Sequence, residues 1–485
     1  MSHHIKGQPR HQSTLFPEAI DDFVTEDNPI RVIDVFVDQL DLLALGFEAV
    51  NAKLTGCPGY HPSTMLKLYI YGYLNRIQSS RRLEKESHRN VELMWLLERL
   101  RPDFKTIANF RKDNGKGIKN VCRRFVELCR QLNMFDDSAF AIDGSKFKAV
   151  NNKSKNYTPT KVQAHIERTE KSIQQYLSQM DTKDGDEKNI DTTVSTSKLA
   201  WLEQRLVELK ALEIQVNEHP DKQVSQTDPD ARLMKTQHMQ RQVCYNVQSA
   251  VDTKHHLIIE HDVTMTTDRG QLTLVAAQVQ KTLGKKDITI IADKGYFSRI
   301  DIKATQDLGM TANVPQTDTS GSEKKGIFNK SLFKYDKYDK DQDLYICPAG
   351  EELPYQRDVT ERGLEQKVYV NFYACCDCSI RDKCTKSLKE PRKMRRWVHE
   401  DEIDAMQQRL DDNPEISVVR RQTVEHPFGT IKMWMGATHF LMKRRKNVSI
   451  EMNLHVLAYN LKRMMTIMGT TGLMEAIRQY GGDLA

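Results

Sequence analysis

The chain is 485 residues long, 39% hydrophobic and 28% charged, with a formal net charge of +6. Length and apolar content predict about two to four packed domains. No apolar run approaches the roughly 18 residues of a membrane span, and the opening MSHHIKGQPRHQ has no apolar core of the kind a secretory signal carries.

The modest net charge hides two basic stretches. Between Arg420 and Arg463 nine Lys/Arg stand against only Glu425 and Glu451, and between Arg76 and Lys112 ten stand against five acids. Such clustering predicts contact with a polyanion, nucleic acid above all, with solvated helix faces as the plainer alternative. Cys57, Cys122, Cys129 and Cys244 are scattered through apparently structured regions, a usage that fits reduced thiols and a cytoplasmic protein.

In chain order, an irregular polar segment precedes a helix with Ile33, Val37, Leu40 and Leu43 at helical intervals. From His61 to Asn114 short helices separated by polar turns are expected. One of them groups Arg81, Arg82, Lys85 and Arg89, a pattern suited to a helical DNA-binding module and equally to a plain bundle. One more helix over 115–135 completes an N-terminal helical domain, 1–135.

At Ser138 the period changes. SAFAIDGSKFKAV alternates as a strand, with Phe140 and Ile142 on one face and Ala141, Asp143 and Ser145 on the other. Residues 160–225 read as an insertion of two antiparallel helices. Ile166, Thr169, Ile173, Tyr176 and Met180 keep heptad spacing before the polar tip DTKDGDEKNIDTTVS, and Leu199, Leu202, Leu206 and Leu209 keep it afterwards. RQVCYNVQSAVDT and HHLIIEHDVT then form a hairpin. Asp268 is expected to cap a helix to about Leu283, and DITIIAD to be a strand buried on both faces and ending in Asp293. A helix from about Ser298 and a short strand in TANVP (311–315) follow. Residues 136–159 and 226–315 are thus the first part of an α/β core with mixed pairing. Residues 316–405 break the alternation and hold five cysteines. Residues 406–485 return to helix, with Asp412 or Asn413 as N-cap, Pro414 in the first turn and a kink at Pro427, before a final helix over NVSIEMNLHVLAYNLKRMMTIM.

Three acids stand out by position: Asp143 within the first core strand, Asp293 at the carboxyl end of a buried strand, and Glu425 in RRQTVEHPFGTIK. Open α/β sheets place ligands at the carboxyl ends of their strands. Each acid also has a bland reading: a turn at Asp143-Gly144, a cap at Asp293, and a surface ion pair of Glu425 with Arg421 four residues before it. On a regular helix Arg421 and Lys432 share a narrow stripe with Glu425, an arrangement suited to a metal-binding carboxylate flanked by phosphate-holding cations.

AIDGSKFKA, IIADKGYFS and the R-x3-E-x6-K of Arg421, Glu425 and Lys432 resemble the DDE transposases of bacterial insertion sequences, in the branch with a Tyr-Arg-Glu-Lys signature. HPSTMLKLYIYGYLNRIQSSRRLEKE is similar to that branch's N-terminal domain, so the resemblance spans nearly the whole chain. The signature tyrosine's position holds Val418. The resemblance implies an RNase H-like core and a catalytic triad of Asp143, Asp293 and Glu425 binding two Mg2+ ions, for which Mn2+ can substitute. It implies cleavage of double-stranded DNA at the element's ends, strand transfer into target DNA, and a homodimer on DNA in a nucleoid-associated, cytoplasmic setting. Arg421 and Lys432 would grip DNA near the scissile phosphate, with Arg81, Arg82, Lys85 and Arg89 as further DNA contacts. A catalytically inactive DNA-binding protein and a metal-dependent nuclease without strand transfer are the rival readings. Cys347, Cys375, Cys378 and Cys384 either hold structural Zn2+ or are reduced thiols, since only one C-x2-C knuckle is present.

Overall fold

The structure, a computed structural model, describes residues 18–51, 59–135, 138–183, 192–236, 240–316, 321, 325–336, 343–361, 363–387 and 389–480. The first polar segment, Cys57 and most of the 181–195 tip lie outside the described residues. Two compact units divide the chain: Met1–Asp137, Asp143–Thr267 and Thr423–Ala485 make the first, Ser138–Ile142 and Asp268–Gln422 the second.

The first unit opens with six helices, α1 (Pro29–Asp38), α2 (Pro62–Leu74), α3 (Ser80–Ser87), α4 (Val91–Leu96), α5 (Phe104–Asp113) and α6 (Gly115–Gln131). Their starts follow local chemistry. The Asn28 side chain accepts from the Ile30 N–H ahead of Pro29, and Asp103 accepts from Lys105 and Thr106 N–H, satisfying donors that a helix N-terminus leaves unpaired. Helix α1 ends at Asp38, so Leu40 and Leu43 lie beyond it and Leu43 is exposed. Next come β1 (Ala139–Lys148), β2 (Asn156–Tyr157), α7 (Pro159–Lys183), α8 (Thr192–Glu218), β3 (Val224–Ser225), β4 (Arg232–Lys235), β5 (Arg241–Asp252) and β6 (Ile258–Thr264). The predicted helical insertion is present as α7 and α8, pinned at its base by Tyr157, Val162, Ile166, Leu209, Leu212 and Val216. The predicted hairpin is the antiparallel pair β5–β6, in register from Asn246↔Thr264 to Ala250↔Glu260. Strand β4 pairs antiparallel with β5 on its other edge.

The second unit takes up the first four residues of β1 and carries α9 (Leu272–Leu283), β7 (Thr289–Ala292), α10 (Arg299–Asp307) and β8 (Thr311–Asn313). Strands β1 and β7 run parallel with Ala139↔Thr289 and Ile142↔Ala292 in register, and β7 and β8 are parallel too. Phe140, Ala141 and Ile142 are all buried, so β1 is covered on both faces rather than on the one its alternation predicts. Helix α9 starts at Leu272 with Gln271 as N-cap; Asp268 lies one turn earlier and its carbonyl accepts from the Gln271 N–H.

Residues 316–405, which show no clear period, contain an antiparallel five-stranded sheet. Its strands β9 (Lys334–Asp336), β10 (Leu344–Ile346), β11 (Glu352–Glu361), β12 (Leu364–Tyr369) and β13 (Met394–Trp397) lie in the order β13-β12-β11-β10-β9, with the short helix α11 (Phe372–Cys376) after β12. Phe333, Tyr345, Leu353, Tyr369 and Met394 form its core. A further helix, α12 (Glu400–Asp412), also escaped the sequence reading, and Asp412 ends it. Asn413 is therefore its C-cap rather than the N-cap of α13 (Glu415–Gly429).

The unit boundary falls within α13, after Gln422. The chain then adds α14 (Arg445–Met468) and α15 (Thr470–Tyr480) to the first unit. Helix α14 is its central pillar, buried from Ile450 to Leu461 and packed on α2, α6 and β6. Asn460 joins it to the sheet edge by accepting from Ile258 N–H (3.0 Å) and donating to Ile258 O (2.8 Å). Glu451, fully buried, accepts from the Leu441 and Met442 N–H groups at 2.9–3.0 Å.

Candidate active site

Asp143 and Asp293 are the residues that follow the register-paired Ile142 and Ala292 of two parallel strands. Asp143 is half-buried within β1, and its Oδ1 accepts from the Gly144 N–H (2.9 Å). Because β1 continues as a straight strand to Lys148, Asp143-Gly144 is not a hairpin turn. Asp293 directly follows β7 and caps the 3-10 turn Lys294–Tyr296, accepting from Gly295 N–H at 2.7 Å. The bland reading of Asp293 as a cap is thus realised, through one of its two carboxylate oxygens.

Glu425 lies in the part of α13 that belongs to the first unit, exposed beside the buried Val424 and one turn before the buried Phe428. No ion pair or hydrogen bond of its carboxylate occurs among the described residues, so the surface ion pair with Arg421 is not made. Arg421 stands one turn earlier on the same helix, exposed. Beyond Pro427 the helix loosens to π-helical turns over Thr430–Trp434, so the regular spacing that aligned Lys432 with Glu425 is lost. π turns inside a helix commonly mark functional positions.

Lys432 is instead drawn onto β1. Its Nζ donates to Ser145 Oγ (2.6 Å) and Lys146 O (3.0 Å), and lies 4.6 Å from the centre of the Phe147 ring. Burial, then the neighbouring Lys146, lowers its pKa below the usual lysine value, while Cys244 and Asp143 oppose the shift. Asp143 is therefore within electrostatic reach of this ammonium. Apolar packing reinforces the join: the Phe147 ring centre is 6.1 Å from that of Phe428 and 5.5 Å from that of Phe440. Lys148 O accepts from Phe440 N–H at 2.9 Å.

Ser145 escaped the sequence reading as a partner, although it stands two residues after Asp143 on the same strand face. His426, next to Glu425, turns to Tyr459: His426 Nδ1 and Tyr459 Oη are 2.9 Å apart, and Tyr459 donates onward to His256 O (2.6 Å). Its imidazole pKa is lowered by burial and then by Arg463 and His256. Met433 and Trp434, 75% and 66% exposed, follow Lys432 directly.

The N-terminal cations are all exposed on or just after α3, but not equally engaged. Arg89 is paired with Glu86, its Nε at 3.1 Å from Oε2. Arg81 stacks over the Phe104 ring at 5.2 Å. The loop after α2 also reaches the segment beyond α13, with Gln78 Nε2 donating to Met435 O at 2.9 Å.

Carboxylates are hard oxygen donors of the kind that hold Mg2+. Among the described residues, however, no group of three or more His, Cys, Asp or Glu is assembled so as to hold a metal ion. No helix of the described residues is long and apolar enough to cross a membrane.

Comparison with known proteins identifies two segments. Residues 18–113 match a family described as a transposase domain (DUF772), and residues 346–465 match one described as a transposase DDE domain. The first match contains Arg81, Arg82, Lys85 and Arg89; the second contains Arg421, Glu425 and Lys432 and stops short of Asp143 and Asp293. No curated protein matches. Among solved structures, the cryo-EM structure of a piggyBac transposase synaptic complex with hairpin DNA is similar at 9% identity and a TM-score of 0.32, over 95% of this chain and 80% of that one.

Proposed function

The chain belongs with the DDE transposases of insertion sequences, and from that premise we propose that it binds the ends of its own element, cleaves them and joins them to target DNA. The family implies dependence on a divalent metal ion. Asp143, Asp293 and Glu425 are the carboxylates we assign to it. Parallel pairing of β1, β7 and β8 with antiparallel pairing of β4, β5 and β6 supports an RNase H-like core.

The observation that carries this reading is the docking of Lys432 on Ser145 and Lys146. It fastens the segment that follows Glu425 to the strand that bears Asp143, two acids 282 positions apart in the sequence. Nothing in the surrounding apolar packing requires a half-buried lysine there, and withdrawing an ammonium from water costs stability unless it is paired. These carboxylates would hold Mg2+, which would supply Lewis-acid activation for an in-line displacement at the phosphodiester.

The chain's own residues supply the rest. Lys432 is a positioning residue whose charge also lowers the repulsion between Asp143 and an incoming phosphate. Arg421, exposed one turn before Glu425, holds the DNA backbone near the site. Arg82 and Lys85 give a sequence-independent phosphate grip, with Arg81 and Arg89 beside them. Two ends must meet for joining, so a homodimer on DNA is the assembly we propose.

The test separates binding from chemistry. Glu425→Gln keeps size and hydrogen-bonding capacity but removes the anionic donor. Cleavage of end-bearing DNA should fall by at least ~10³-fold, corresponding to several kcal/mol of lost metal-assisted stabilisation, while DNA affinity stays within a few-fold of wild type. Equal loss of binding and cleavage would refute a catalytic role for Glu425.

A further inference from the structure

Four of the five cysteines between 316 and 405 line one pocket of the second unit: Cys347, Cys375, Cys378 and Cys384. They arrive on three short segments. Cys347 follows β10 and opens a turn in which the Gly350 N–H reaches its carbonyl (2.9 Å), with Gly350 at φ +85° where a side chain would be strained. Cys375 lies in α11 and Cys378 just after it. Cys384 closes the 3-10 turn Arg381–Lys383, its N–H donating to Arg381 O at 2.8 Å. Cys347, Cys375 and Cys384 all pack against the core of the sheet, which brings the three segments together. Cys376, between them in sequence, is exposed and does not line the pocket.

The lining is largely apolar, with Phe328, Phe333, Leu353 and Ile380 around the four thiols, and two cations stand at it. Arg381 and Arg392 line the same pocket, donating to Cys375 O (3.3 Å) and Cys384 O (3.5 Å). These guanidiniums fix the backbone of the two turns, and their charge would offset part of the double negative charge of a divalent ion with four thiolates. The thiols are not assembled as a ready-made metal cluster, so the turns bearing them must close on the ion.

We propose that Cys347, Cys375, Cys378 and Cys384 form a tetrathiolate site for one structural Zn2+, which fastens the 375–384 segment to the sheet β9–β13. Four S–H protons pass to solvent as four Zn–S bonds form, and no redox partner is needed. Four protein ligands fill the tetrahedral shell, so the ion has no open position for chemistry, and the proposal stands apart from the transposition reading.

The experiment is metal analysis of the full-length chain purified under reducing conditions without chelator, followed by Co2+ replacement. One zinc per chain and the absorption of tetrahedral Co2+–thiolate are expected. Both should be lost in Cys378→Ser and Cys384→Ser and kept in Cys376→Ser. Should the serine variants fail to fold, wild-type protein stripped by chelator serves instead: it should take up one Co2+ per chain and regain its lost Tm. Wild type that contains no zinc and takes up no Co2+, or zinc retained in Cys378→Ser and Cys384→Ser, overturns the proposal.

Discussion

Lys432 concentrates what individual residues reveal here. As a sequence feature it is one of nine cations in a basic stretch; in the fold its ammonium has two hydrogen-bonded oxygens and an aromatic face. Lys432→Met removes a charge-assisted pair and leaves Ser145 Oγ and Lys146 O without their donor. We predict about 1–3 kcal/mol lost from unfolding free energy in denaturant titrations, together with a drop in cleavage larger than the drop in DNA affinity. Unchanged stability would mean that the docking is incidental. Sequence spacing identified Lys432 by assuming an α-helix through Pro427; the π-helical turns that redirect it depend on tertiary contact with β1 and leave no periodicity to read. Asp143 and Asp293 were legible as candidates because acids inside or at the ends of apolar runs are conspicuous, and Glu425 because it is a single acid among bases. Their bland alternatives had to be settled one by one: Glu425 makes no ion pair with Arg421, while Asp293 does serve as a cap.

Strands and helices with strong periods were read correctly. β5 and β6, β7, and α7 and α8 fall where their patterns put them, and short helices occupy 61–135 as expected, whereas the caps expected at Asp268 and at Asp412 or Asn413 are not made. The five-stranded sheet β9–β13 was not read, because its strands are short and the alternation of β11, largely exposed, carries few apolar residues. Helix α12 was missed for a related reason: its polar surface leaves only Ile403 and Met406 as buried apolar anchors. Where β1 meets the end of α13, Phe147 is the apolar hinge of the arrangement, 1% exposed and flanked by Phe428 and Phe440. Phe147→Ala should cost about 3–5 kcal/mol in chemical denaturation. A cost under about 1 kcal/mol would show that the strand and helix are not held by this contact.

At the level of the whole molecule, the buried polar groups of the first unit set its response to acid. His455 on α14 is fully buried against Tyr73, with neither ring nitrogen hydrogen-bonded among the described residues. Burial, with Arg111 adding to it, lowers its pKa from 6.5 to about 3. Between those values the folded chain binds fewer protons than the unfolded one. The stability contributed by the neutral imidazole is therefore fully present above pH 6.5 and lost as pH falls, by up to about 1.4 kcal/mol per pH unit. His455→Leu should flatten the decline of Tm between pH 6.5 and pH 5; an unchanged slope would place the acid sensitivity elsewhere. The same unit carries Asp143, Glu425 and Lys432, so activity assays belong above this window. The most direct test of the account is cleavage and strand transfer on DNA bearing the element's own ends, with Mg2+, comparing wild type with Asp143→Ala. The account predicts nicked and joined products from wild type and neither from the variant at equal DNA binding. Products from both proteins, or DNA binding without cleavage in wild type even with Mn2+, would contradict it.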